Sequence, residues 1–70
     1  MTSDEIRMLF INRRHELKMS RRELAEKSGL SEKAIEAYEH HRHHLRLDNL
    51  LLCMKAMGLK ITFEEIAESE

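Results

Sequence analysis

Ser20-Arg-Arg-Glu-Leu-Ala-Glu-Lys-Ser-Gly-Leu-Ser-Glu-Lys-Ala-Ile-Glu-Ala-Tyr-Glu39 reads as two short helices joined at Gly29. Ser20 can cap the first of them, with Glu23 three residues on in the spacing of a capping box. Leu24 and Ala25 supply its inward face. Ser28-Gly29 ends it, because glycine takes the left-handed backbone of a helix C-cap without steric cost. Leu30 plugs the turn. Ser31 caps the second helix, which turns Ile35 and Tyr38 inward and leaves Glu32, Lys33, Glu36 and Ala37 on its remaining arc.

The flanking sequence continues in helical register. Thr2 and Glu5 form another capping box. Ile6, Leu9, Phe10 and Leu17 then make an apolar stripe, which predicts a helix from Ser3 to Leu17, with Lys18 and Met19 leading out of it. After the His40–His44 stretch, Leu47, Leu50, Leu51, Met54 and Met57 repeat at helical spacing up to Gly58. Arg46 stands where a capping residue is expected. The tail has two readings. Leu59, Ile61 and Phe63 alternate with Lys60, Thr62 and Glu64, which predicts a strand over 59–64. Thr62 and Glu65 before Phe63, Ile66 and Ala67 instead fit a fifth helix. The strand is the preferred reading. A lone strand cannot satisfy its own backbone, so its expected partner is the same strand of a second subunit.

Seventy residues make one small domain, taken here as 1–70, with 59–70 as a dimerisation tail. A core of this size supplies at most about 3–5 kcal/mol, so association is the expected extra support. Cys53 is the only cysteine, so no internal disulfide can form and a reducing cytoplasm is the expected compartment. The acidic, polar N-terminus does not read as a signal peptide, and no apolar run reaches a membrane-spanning length. Proline is absent and there are two glycines, which favours an all-α domain of four to five helices with short loops. The net charge of −1 hides an asymmetry. Residues 1–46 hold ten Lys/Arg against eight Asp/Glu, whereas residues 47–70 hold two against five. Arg7, Arg13, Arg14, Lys18, Arg21 and Arg22 face only Glu16 between positions 7 and 22, so a local positive face is possible without a positive total.

Two short helices meeting at a glycine turn are the pattern of a helix-turn-helix, whose second helix lies in the DNA major groove. From about Phe10 to Leu59 the chain resembles the lambda-repressor-like, Cro/repressor-type (xenobiotic-response-element) helix-turn-helix family. The resemblance is carried by Arg14, Arg-Glu-Leu-Ala at 22–25, Gly29-Leu30-Ser31, Ile35, Glu39, Leu50-Leu51 and Ala56-Met57-Gly58, all in register. It implies five short helices, the second and third forming the reader over 20–39, and a dimer on a palindromic operator. It also implies that Arg14 pairs with Glu39 to fix the reader's angle. The chain departs from the family at three places. Arg21 replaces a frequent glutamine, and His40-His41-Arg42 replaces Asn-Gly-Lys/Arg. The tail is closer to strand-ending antitoxins than to the family's fifth helix. Histidine resists the positive φ that glycine accepts, so the third helix is expected to run on or the turn to differ.

Carried over residue by residue, the resemblance puts Glu32, Lys33 and Ala37 on base-reading positions, bordered by Glu36, which could read a base or orient Lys33. Lys33 can donate to guanine O6/N7, Glu32 can accept from cytosine N4, and Ala37 can touch a thymine methyl. Ser20, Arg21, Ser31, His40 and Arg42 are the expected phosphate contacts. The competing reading for each cation is an ordinary solvated side chain, and the two glutamates count against tight binding. His40 with His43 or His44 could share a helix face at metal-ligand spacing, but no cysteine or carboxylate cluster completes a site. A histidine-rich stretch that gains charge below about pH 6.5 would instead strengthen phosphate contact. Neither a nucleophile–base constellation nor a phosphate-cradling glycine loop is present, so no enzyme and no cofactor are expected. The expected function is a dimeric transcriptional repressor of phage or mobile-element type, working at the bacterial nucleoid. The alternatives are an antitoxin engaging a toxin protein, or an interaction module without DNA binding.

Overall fold

The structure, a computed structural model, describes residues 1–65. It contains four helices: α1 (Ser3–Glu16), α2 (Arg21–Ser28), α3 (Glu32–Glu39) and α4 (Leu47–Ala56). Their starts follow from the capping chemistry. The Thr2 hydroxyl accepts from the Glu5 N–H at 3.1 Å, and the Glu5 carboxylate accepts from the Thr2 N–H at 2.6 Å, which closes the predicted box. Ser20 accepts from the Glu23 N–H at 3.0 Å, but the Glu23 carboxylate does not return the bond and lies 3.9 Å from Lys27 Nζ instead. Ser31 accepts from the Ala34 N–H at 3.1 Å. Arg46 makes no side-chain cap to α4, and Asp48 in its first turn places the negative charge that the helix dipole favours there.

All four helices end through a left-handed residue. Gly29 (φ +84°) closes α2, its N–H donating to the Ala25 carbonyl at 2.9 Å. Gly58 (φ +77°) closes α4 in a Schellman turn, with Gly58 N–H on Lys55 and Leu59 N–H on Met54. The other two helices end in the same kind of turn without glycine. Lys18 takes φ +54° after α1 and His41 takes φ +64° after α3. His41 donates to the Tyr38 carbonyl at 3.2 Å and Arg42 to the Ala37 carbonyl at 2.8 Å. The expectation that His41 would resist a positive φ is therefore overturned: two turn hydrogen bonds offset the strain, and α3 stops at Glu39 instead of running on.

α2 packs on α3 and α4, and α1 packs on α3. Between them lie Phe10, Met19, Leu24, Ile35, Tyr38, Cys53, Met54 and Met57. The Phe10 and Tyr38 rings meet edge-on, with centroids 5.0 Å apart at 75°. Leu9 and Leu17, expected in the α1 stripe, are instead 43% and 41% exposed. Met19 takes an inward position because the left-handed Lys18 swings the chain back over the core. Among the described residues there is no strand, so the one expected over 59–64 is absent from the single chain. The physical reason is the one that made it conditional: the segment has no neighbouring strand to bond. The alternative fifth helix draws on Ile66 and Ala67, which lie outside the described residues.

Candidate nucleic-acid interface

The reader is α2, the Gly29 turn and α3, and a buried ion cluster holds it at a fixed angle. Arg14 of α1 reaches the end of α3 and grips Glu39 with two parallel bonds, Nε to Oε2 at 2.7 Å and Nη2 to Oε1 at 2.8 Å. The side chains are 8% and 3% exposed, so this is an internal pair and not a rim contact. Arg14 Nη1 also donates to the Met19 carbonyl at 2.9 Å. Arg21, at the start of α2, adds a third bond to the same carboxylate, Nε to Oε1 at 2.8 Å. Three helices thus converge on one carboxylate. Burial pushes the Glu39 carboxyl up, but hydrogen bonds and charges from Arg14 and Arg21 outweigh it and hold it below the ordinary carboxylate value.

Two more arginines that the sequence left free also serve the fold. Arg7 is buried; its Nε donates to the Tyr38 carbonyl at 3.0 Å, and its guanidinium lies 5.4 Å from the Tyr38 ring centre. Arg13 Nε donates to the Met57 carbonyl at 2.9 Å, tying α1 to the end of α4. That contact borders Gly58: a Cβ there would lie 3.3 Å from Arg13 Nη2, which the arginine tip can relieve by moving a few tenths of an ångström, so the glycine is favoured chiefly for its φ. The basic run 7–22 is therefore mostly internal stapling, with Lys18 and Arg22 left exposed.

The exposed side of α3 carries Glu32, Lys33 and Glu36, with Ala37 half-buried beside them. No ion pair ties Lys33 among the described residues, so Glu36 does not orient it. The turn at His41 folds the following loop back along α3. An open groove of about 590 Å³ results, lined by Lys33, Glu36, Ala37, Arg42, His43 and His44 among others. The inclusion of His43 was not legible from the sequence, because it depends on the left-handed turn. Ser20, Arg21 and His40 gather at the other end of α3, where His40 Nε2 lies 3.4 Å from Arg21 Nη2. With one N–H already on Glu39, Arg21 is less available than a free phosphate clamp. The first N–H groups of α2 and α3, at Arg21, Arg22, Glu32 and Lys33, have no acceptor among the described residues and can serve an anion.

A helix-turn-helix family model matches residues 11–63, three-quarters of the chain. The chain belongs to the lambda-repressor-like, Cro/repressor-type helix-turn-helix family. No curated protein and no solved structure matches it. As a DNA-binding helix-turn-helix domain it needs an exposed second helix on a rigid mount, and α3 on the Glu39 cluster has that form. The shared helix face considered for the histidines does not form among the described residues. Residues 40–44 follow α3 instead of continuing it, and no group of three or more His, Cys, Asp or Glu among the described residues could hold a metal. No helix among the described residues is long and apolar enough to cross a membrane.

Proposed function

We propose that this helix-turn-helix domain is a sequence-specific transcriptional repressor of phage or mobile-element type, acting as a dimer on a palindromic operator inside a bacterial cell. The observation that carries the reading is the uncovered face of α3: Lys33 stands there without an ion-pair partner among the described residues, on a helix fixed from behind by Arg14 and Arg21 through Glu39. The N-terminal half of α3 enters the major groove. Lys33 donates to guanine, Glu32 accepts from cytosine N4, Glu36 borders them and Ala37 meets a thymine methyl. Ser20, Ser31 and the free N–H groups beside them take phosphates. Arg42, which borders the groove beside Lys33, and His40, at the far end of α3, approach the backbone, and Arg21 adds its remaining N–H groups.

Selection of bound duplexes from random sequence tests this directly. The expected product is a palindrome with half-sites about one helical turn apart. Lys33→Ala is expected to relax preference at one base position per half-site. Arg42→Ala is expected to weaken all sequences alike and to lower the salt slope by about one per protomer. Failure to retain any duplex even at low salt overturns the reading.

A further inference from the structure

A small cavity lies between α1 and the loop that follows α3. It measures about 60 Å³ and is lined by Arg7, His41, Arg42, His43 and His44. Each of these side chains carries nitrogen donors, and none is a carboxylate. Arg7 is the fixed wall, with its side chain 7% exposed. Its Nε donates to the Tyr38 carbonyl at 3.0 Å and its Nη1 to Asp4 Oδ1 at 2.6 Å. Nη2 makes no hydrogen bond among the described residues, and no fully buried side-chain nitrogen or oxygen there lacks a partner. Nη2 therefore keeps solvent access, and the cavity is a solvent-open space that Arg7 lines. The loop backbone has little to offer a ligand: the N–H groups of His40, His41, Arg42 and His43 all bond carbonyls of α3. Whatever binds here is held by side chains.

We propose that this cavity binds one free oxyanion of the sulfate or phosphomonoester class. A metal ion is the wrong occupant: two guanidinium groups repel it, and no group of three or more His, Cys, Asp or Glu among the described residues could hold one. A drug-sized organic ligand needs about 300 Å³ or more, whereas about 60 Å³ takes only a few atoms. A DNA backbone phosphate is flanked by two sugars and has two free oxygens. A small recess backed by a buried arginine suits instead the bare end of a monoester or a free ion. The local charge agrees. The two guanidinium groups face one carboxylate, Asp4, which bonds Arg7 and lies 3.8 Å from His41 Nδ1. α3 adds only the Tyr38 carbonyl and ring, and burial keeps that phenol neutral. The balance is positive before any ring is protonated, and protonation of His41, His43 or His44 at mildly acidic pH adds to it. The anion therefore favours the protonated rings, and its binding strengthens as pH falls. The site stands whether or not α3 reads DNA.

Sulfate is the first probe, because it stays a dianion across the range in which histidine titrates. Titrated at low ionic strength held constant with chloride, and followed by proton–nitrogen NMR, it should shift the Arg7 Nε–H and the amides of 41–44 along one saturable curve. Its affinity should be about tenfold higher at about pH 6 than at about pH 8, the effect of one ring charge on a dianion roughly 5 Å away in a solvent-like dielectric. Methyl phosphate at about pH 8, where it is a dianion, should bind. Dimethyl phosphate, which copies the DNA backbone diester, should not. Arg42→Gln should weaken sulfate binding about tenfold without moving the urea midpoint, since its side chain is exposed. His41→Asn, chosen because asparagine tolerates a left-handed backbone, combined with His43→Gln and His44→Gln, should remove most of the pH dependence. Shifts that stay linear in sulfate or spread over every exposed cation overturn the site. So does an affinity that ignores both Arg42→Gln and the triple histidine change. Dimethyl phosphate binding as well as methyl phosphate also overturns it, and assigns the cavity to a DNA backbone phosphate. No readout here uses operator DNA, so its outcome is separate from that of duplex selection.

Discussion

Removal of the Glu39 carboxylate should be the most damaging single change in the reader, and the structure says by how much. The carboxylate is 3% exposed and accepts three N–H groups, two from Arg14 and one from Arg21. Glu39→Ala leaves two guanidinium groups facing each other, and Arg14 has only the Met19 carbonyl and the His15 ring nearby. Stranding a buried charge costs about 3–5 kcal/mol. That equals what a core of this size supplies, so the domain should be largely unfolded at 25 °C. Glu39→Gln keeps the shape and one acceptor, and should cost about 1.5–3 kcal/mol. Arg14→Ala should cost less than Glu39→Ala, because Arg21 still neutralises the carboxylate. Arg21 is 34% exposed, so its loss should cost less than about 1 kcal/mol after screening. Replacing Arg14 and Glu39 together by apolar residues of similar volume should recover much of the loss. Urea denaturation followed by circular dichroism, at one protein concentration, ranks these variants. The pH dependence adds an independent check. The folded carboxyl sits below its ordinary value of 4.5, so its stabilisation is fully present above that pH and is lost as pH falls through the lower folded value. Glu39→Gln should lack that part of the acid limb. A Glu39→Ala cost below about 1 kcal/mol, or equal costs for Arg14→Ala and Arg21→Ala, would refute the argument.

Three further outcomes follow from other parts of the fold. His41→Gly should stabilise the domain by about 0.5–1 kcal/mol in the same denaturation assay, since glycine removes the left-handed strain and gives back some of the gain through its freer unfolded chain. Arg7→Ala should cost about 1.5–3 kcal/mol by removing a charged donor from the buried Tyr38 carbonyl, while leaving operator preference unchanged in selected-duplex binding below the melting temperature. Cys53 is fully buried, and burial raises its thiol above the ordinary value against a weaker opposing hydrogen bond from Ser28. Alkylation at neutral pH should therefore require global opening and follow the opened fraction, so sub-denaturing urea should accelerate it in step with the measured stability.

The parts of this fold that were legible in the sequence are those decided within a few residues. Thr2, Ser20 and Ser31 cap, and Gly29 and Gly58 terminate, because each acts on a backbone group three or four positions away. The pairing of Arg14 with Glu39 was legible only through family resemblance, since nothing local links residues 25 positions apart. Arg7 and Arg13 were not legible at all. An arginine headed for phosphate and one headed for an internal carbonyl have the same local sequence signature, and only the packed helices bring the Tyr38 and Met57 carbonyls within reach. The turn at His41 went against local preference because the Tyr38 and Ala37 carbonyls gain donors there. The groove beside α3, and the place of His43 in it, depend on that turn.

The internal use of arginine has a consequence for how this domain can bind DNA. With Arg7, Arg13, Arg14 and one face of Arg21 engaged inside the protein, the reading face offers few cations, and Glu32 and Glu36 offset part of what remains. On the proposed dimeric reading, with about two phosphates neutralised by each protomer, a dimer would release about four counterions, a salt slope of roughly −4, well short of proteins that contact eight or ten phosphates. Non-specific affinity is then low, and one half-site cannot hold the protein alone. Binding free energies of two linked half-sites combine, whereas a freely dissociating pair gains nothing from the second. The weaker the electrostatic grip of each α3, the more occupancy depends on the contact that joins the copies. Weakening that contact ought therefore to reduce operator affinity by a factor no larger than the one by which it reduces dimerisation, and approaching it at concentrations where the free protein is monomeric. The salt slope of the bound complex should stay the same, because no phosphate contact has changed. A variant that loses dimer affinity yet binds its operator as before would mean that α3 alone carries recognition, and that the scarcity of cations on its face has been overstated.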